Sequence, residues 1–161
     1  LISYPIERIV VRQDGGAVIV AEAAYTTEYS YYDSFSQSFT RRLEYNFNNI
    51  IILSVSNEGI ADWSSVIEKE QVSLDDGGIF SSFCSLLNSE QLVVLYNDNI
   101  SKRSKMIPVS VNNLGTTTPL KSFQQTDGIQ LLPKSGKQVS ENEMLVPALI
   151  KRKLFLIKFT F

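Results

Sequence analysis

The chain writes one pattern three times: apolar run, tight turn, apolar run. Arg8 to Glu22 turns at Asp14-Gly15-Gly16, Ser82 to Asn97 at Asn88-Ser89-Glu90, and Lys137 to Leu149 at Glu141-Asn142-Glu143. Each is followed by another apolar stretch: Asn49 to Val55, Lys105 to Val111 and Leu154 to Phe161. A small β unit of this kind cannot bury its apolar faces alone, so repetition predicts stacking. The expected fold is all-β and antiparallel, with β-propeller-like repeats. Three blade-like units are expected, over about 6–67, 80–123 and 135–161. The first two carry four strands and the third carries three, while Lys121 to Lys134 has no clear period and reads as a connector. Propeller rings close with about 4–8 blades, so this ring is incomplete. The remaining blades are expected on another chain or on the remainder of a longer one, whose start would supply the fourth strand of the third unit.

Within the first unit, two strands exceed the usual length of about five or six residues. From Ile19 to Tyr31 the odd positions read Ile, Ala, Ala, Tyr, Thr, Tyr, Tyr, and from Leu43 to Val55 they read Leu, Tyr, Phe, Asn, Ile, Leu, Val. A period of two over such a length predicts extended strands with one covered face. The pair forms a long hairpin with its tip at Asp33 to Ser38 and Phe35 exposed or folded back. Its outer parts carry Tyr25, Tyr29, Tyr31, Tyr32, Phe39, Tyr45 and Phe47. Two readings stay open for these aromatics: cross-strand pairing that keeps the extension from fraying, or a sticky surface for a protein or a glycan.

The charge balance excludes whole classes of partner. Fifteen Lys and Arg against seventeen Asp and Glu leave a net charge of −2, without the basic excess of a general nucleic-acid or anionic-membrane surface. Local clusters at Lys102, Arg103, Lys105 and at Lys151 to Lys153 sit at expected turns, either as solvated charge or as an anion site. No apolar run approaches the roughly 20 residues of a membrane-crossing helix. Leu1 is not a start methionine, which suggests processing or truncation.

Catalytic chemistry has little to work with. The chain has no histidine, which removes Ser-His-Asp and Cys-His arrangements and histidine metal sites. Neither a phosphate-cradling Gly-x-x-x-x-Gly-Lys nor a Gly-x-Gly-x-x-Gly motif is present. Cys84 is the single cysteine; it has no internal disulfide partner and reads as a buried small hydrophobe with no basic neighbour to activate it. Asp75 and Asp76 read as a structural turn rather than a calcium loop. Glu22 and Glu28 read as solvated residues on the polar side of their strand. Trp63, the single tryptophan, is expected to pack between blades, with a ligand platform as the other reading. No catalytic, cofactor-binding or metal-ligating residue is assigned, and no cofactor is expected.

The segment Asn48 to Trp63 with Val66 to Gln71 resembles an uncharacterised family of long exported proteins of Bacteroidetes-type bacteria. Asp75 to Phe83, Leu95 to Asp98, Gln138 to Met144 and Phe155 to Phe161 fit the same pattern. The resemblance spans almost the whole chain. It implies that residues 1–161 are the C-terminal part of a longer β-propeller-like protein ending near Phe161, with the aromatic stretch Tyr25 to Tyr32 as its usual insertion. It implies a periplasmic, outer-membrane-associated or extracellular setting, and it carries over no catalytic residue. The functional expectation is a non-enzymatic binding or assembly module contacting another protein. The alternative is a carbohydrate-active or ligand-binding propeller whose site is completed outside this chain.

Overall fold

A computed structural model describes residues 3–98, 100, 105–124 and 129–161. Every strand pair is antiparallel, and the strands fall into three sheets. The first contains β1 (Ile6–Val11), β2 (Ala17–Asp33), β3 (Ser38–Val55), β4 (Ala61–Ile67) and β5 (Gln71–Leu74). Its order is β1-β2-β3-β4, with β5 following β4 along the same edge of β3. The second contains β6 (Phe83–Leu87), β7 (Gln91–Asn97), β8 (Lys105–Asn112), β9 (Thr117–Pro119) and β10 (Phe123–Gln124), with β9 and β10 sharing one edge of β8. The third contains β11 (Ile129–Leu131), β12 (Lys137–Gln138), β13 (Glu143–Ile150) and β14 (Lys153–Thr160). There β11 and β12 share one edge of β13, and β14 takes the other.

The sheets hold five, five and four strands, one more each than the repeats predict; because two strands share one edge in each sheet, they are four, four and three strands wide. Two boundaries move. The first unit continues past Ile67 to Leu74, because β5 adds to the long β3 where β4 stops. The supposed connector from Lys121 to Lys134 holds β10 and β11, followed by a 3-10 turn at Pro133–Ser135. Both strands are too short for a periodic signal; they are held by edge pairing to β8 and β13. No described helix is long and apolar enough to cross a membrane.

The middle sheet is covered on both sides. In β7, Leu92, Val94 and Tyr96 pack with Val20, Ile50, Ile52 and Ile67 of the first sheet. The intervening Val93 and Leu95 pack with Met144, Val146, Ala148 and Phe159 of the third. This explains why β7 is a continuous apolar run, since a strand buried on both faces has no solvent side to mark with polar residues. Trp63 ties the first two sheets: its Nε1 donates to the Asn113 carbonyl at 3.0 Å. Its ring lies where a Cβ on Gly115 would come within 2.6 Å, and Gly115 also holds a left-handed φ of +79°. That is the expected inter-sheet packing role, and it needs glycine in the β8–β9 turn.

The two end faces of the stack are uncovered. The register lines up Ile9, Ile19 and Leu53 in one row, Ile6, Ala21, Ile51 and Val66 in a second, and Val11, Ala17, Val55 and Ala61 in a third. All point away from the second sheet, and Val11 is 75% exposed. The apolar odd positions of β2 are therefore the outer set, not the covered one. The expected alternation of β3 is broken as well. A bulge at Asn48–Asn49, opposite Ala23, puts Leu43, Tyr45 and Phe47 on the inner side and Ile51, Leu53 and Val55 on the outer. At the other end, Leu145, Pro147 and Leu149 pair with Lys158, Leu156 and Leu154 across β13 and β14, and Leu154 is 68% exposed.

Candidate functional site

The long hairpin leaves the body of the first sheet where its neighbours end. Beyond Leu43, whose N–H and carbonyl both bond to Asp75, only β2 and β3 remain paired. The tip is built by Asp33, which accepts from the Phe35 N–H and the Ser36 hydroxyl at 2.9 Å each. Phe35 at the apex is almost wholly exposed.

The aromatics divide between two faces. Tyr25, Tyr29 and Tyr31 share one, opposite Asn46, Arg42 and Thr40. Tyr32, Phe39, Tyr45 and Phe47 lie on the other. Tyr29, Tyr31, Tyr32 and Phe39 are exposed, while Tyr25, Tyr45 and Phe47 at the base are half-buried. One aromatic pair of the cross-strand kind forms near the tip: Tyr32 and Phe39 meet edge to face with centroids 5.4 Å apart. The Tyr31 hydroxyl and the Asp75 carboxylate, whose Oδ2 lies 2.6 Å from Arg42 Nη1, hold the Arg42 guanidinium above its ordinary pKa. Glu28 is exposed and pairs with Arg41, close to its solvated reading. Asp75 and Asp76 serve the turn: Asp76 Oδ1 accepts from Ser73 Oγ at 2.7 Å and from the Gly78 N–H at 2.8 Å. No metal-ligating cluster forms among the described residues.

Glu22 is not solvated. It continues the inward row of Val18 and Val20 and is fully buried. Its Oε1 lies 2.7 Å from Lys69 Nζ, and its Oε2 accepts from Ser82 Oγ at 2.6 Å. Lys69 Nζ also donates to the Phe47 carbonyl and to Gln71 Oε1. Gln71 Nε2 reaches the Asn97 carbonyl at 2.6 Å, and Asn97 Nδ2 reaches the Leu131 carbonyl at 3.1 Å. A buried polar chain therefore runs through all three sheets. Burial pushes the Glu22 carboxyl up and the Lys69 amine down, each opposed by the charge of the other. Glu22 falls in step with Val18 and Val20, but Ala17, Ile19 and Ala21 on the alternate positions are apolar too and mask which set faces the core.

A third feature was invisible in the sequence. The edge strands β1, β6 and β12, one from each sheet, border a groove of about 370 Å³. A bulge at Glu7 re-aims Arg8 inward. Arg8 Nη1 donates to the Ser85 carbonyl at 3.1 Å and to Ser85 Oγ at 2.9 Å, and Nη2 reaches Gln138 Oε1 at 3.4 Å. Lys134 and Lys137 line the opposite wall. Gly136 lets that wall close on β6, since a Cβ there would fall 2.7 Å from Cys84 Cβ. Cys84 itself is buried, and burial pushes its thiol up to about 12, in keeping with an inert hydrophobe. Of the basic clusters noted in the sequence, Lys151 and Arg152 occupy the exposed β13–β14 turn. Lys102 and Arg103 lie outside the described residues. Comparison with protein-family models, with curated proteins and with solved structures finds no match to this chain.

Proposed function

We propose that this chain is a non-enzymatic binding or assembly module of a β-propeller-like protein, and that its open sheets and projecting hairpin contact another protein or the remainder of its own longer chain. The observation that carries this reading is the pair of uncovered apolar end faces. A sheet face made of Ile6, Ile9, Val11, Ile51, Leu53 and Val66 has the composition of an interface between stacked sheets. Covering each of the exposed aliphatic side chains would stabilise the assembly by about 1.5–3 kcal/mol. Soluble monomers rarely leave contiguous apolar surface of this kind in water. The convergence of one edge strand from each sheet on a common groove further supports blade-like packing, in which innermost strands surround an axis. The sequence resemblance supports an exported, cell-envelope setting.

The hairpin is the second contact surface in this reading. Tyrosines offer a rigid apolar face with a hydroxyl, which favours them at protein interfaces. Replacing Tyr29, Tyr31 and Tyr32 together by serine in the intact protein tests the assignment. The expected result is a loss of affinity for the native partner with only a small drop in melting temperature, since the exposed tyrosines give up one edge-to-face ring contact and the Tyr31–Arg42 bond. Unchanged affinity with a lowered melting temperature would assign the aromatics to hairpin stability alone.

A further inference from the structure

We propose that the groove between β1, β6 and β12 is a binding site for a small oxyanion ligand, a carboxylate or phosphate ester, with Arg8 as its anchor. Three cationic side chains, Arg8, Lys134 and Lys137, line this groove against one carboxylate, Glu7, among the described residues. The chain as a whole is slightly acidic, so the local excess runs against the general balance. Each wall contributes to the positive potential: Arg8 comes from the first sheet, Lys134 from the 3-10 turn and Lys137 from β12 of the third sheet. Within a concave, partly desolvated space these charges act together on a ligand more strongly than the same charges on an open surface.

Arg8 is the distinguishing residue. Arg12, Arg41 and Arg42 each pair with a carboxylate. The half-buried Arg8 meets only neutral acceptors, the Ser85 carbonyl and hydroxyl and the Gln138 amide oxygen, and burial lowers its pKa. Its Nε makes no hydrogen bond to a described residue. A guanidinium has five N–H donors in a planar fork that matches carboxylate and phosphate oxygens. Held in place through Ser85 and Gln138, this fork is pre-oriented and keeps donor capacity for a ligand. Gln138 is itself fixed, accepting from the Leu87 N–H at 3.1 Å and donating to the Leu87 carbonyl at 2.8 Å. The groove volume of about 370 Å³ lies at the lower end of the range for small-molecule sites, about 300–1,000 Å³. That size suits a small organic acid or phosphate ester rather than a polymer.

The test is isothermal titration calorimetry of the intact protein with inorganic phosphate and, separately, with acetate, at constant ionic strength set by sodium chloride. Glu7 and Lys137 are exposed and part of no described ion pair, so Glu7→Gln and Lys137→Gln leave folding intact while moving the local charge in opposite directions. The expected result is saturable binding of at least one probe, tightened several-fold by Glu7→Gln, weakened several-fold by Lys137→Gln and abolished by Arg8→Gln. Circular dichroism of Arg8→Gln checks that its sheets remain formed. Absence of saturable binding, or affinities that ignore the Glu7 and Lys137 substitutions, would overturn the proposal.

Discussion

Replacing Glu22 by glutamine leaves Lys69 as a buried charge without its counter-ion. Both side chains are essentially inaccessible, at 0% and 1%. Only neutral acceptors remain for the ammonium: the new amide oxygen, the Phe47 carbonyl and Gln71 Oε1. Breaking a buried pair from one side costs about 3–5 kcal/mol, whereas replacing both partners by apolar residues of similar size is often neutral. The expected losses are therefore about 3–5 kcal/mol for Glu22→Gln and the same for Lys69→Met. The double variant Glu22→Gln with Lys69→Met, which carries no buried charge, should recover at least about 2 kcal/mol relative to the sum of the single losses. With a urea dependence of about 2 kcal/mol per molar, each single variant lowers the unfolding midpoint by roughly 2 M. In Glu22→Gln the loss should also shrink as pH rises toward the ordinary lysine pKa. Burial already pushes the Lys69 amine down, removal of the carboxylate pushes it further, and a group with a depressed folded-state pKa of this kind favours the folded state more as it sheds its proton. Urea unfolding followed by circular dichroism across pH 7 to 10 measures all of this. Single losses below about 1 kcal/mol, or strict additivity in the double variant, would refute the claim that this pair is a dry structural link.

Other substitutions probe the stacking and the inert core. Gly115→Ala brings a methyl group against the Trp63 ring at 2.6 Å and forces a left-handed φ; a loss of about 1–3 kcal/mol is expected, with a change in the fluorescence of the single tryptophan. The buried Cys84 thiol, pushed up to about 12, should react with iodoacetamide at pH 8 far more slowly than in the unfolded chain. The same group lowers stability at high pH, because the unfolded thiol ionises near pH 9 while the folded one does not; an unfolding midpoint that stays level from pH 9 to 11 in the wild type but not in Cys84→Ala would contradict this.

How much of this was readable beforehand follows from the physics of strands. Turns marked by Asp14-Gly15-Gly16 or Asn112 to Gly115 are local signals, and they fall where the sheets turn. The width of each sheet followed from counting the runs between them. Which face of β2 looks inward was not readable, because both sets of alternate positions from Ala17 to Ala21 are apolar. Only the inward choice of Val18 and Val20 decided that Glu22 is buried. The bulge at Asn48–Asn49 has no loud marker, and it reverses the facing of every residue before it in β3. Short edge strands such as β10 and β11 exist by tertiary pairing rather than by pattern. The groove is less legible still, since Arg8, Lys134 and Lys137 are brought together by stacking of separate sheets.

Sedimentation equilibrium of the 161-residue chain decides whether the end faces of the stack need covering. The expected weight-average mass lies above 18.1 kDa, rises with concentration and moves toward the monomer when Ile9→Lys and Leu156→Lys place charges on the two apolar faces. A monodisperse, cooperatively melting monomer of 18.1 kDa, unaffected by those substitutions, would contradict that expectation.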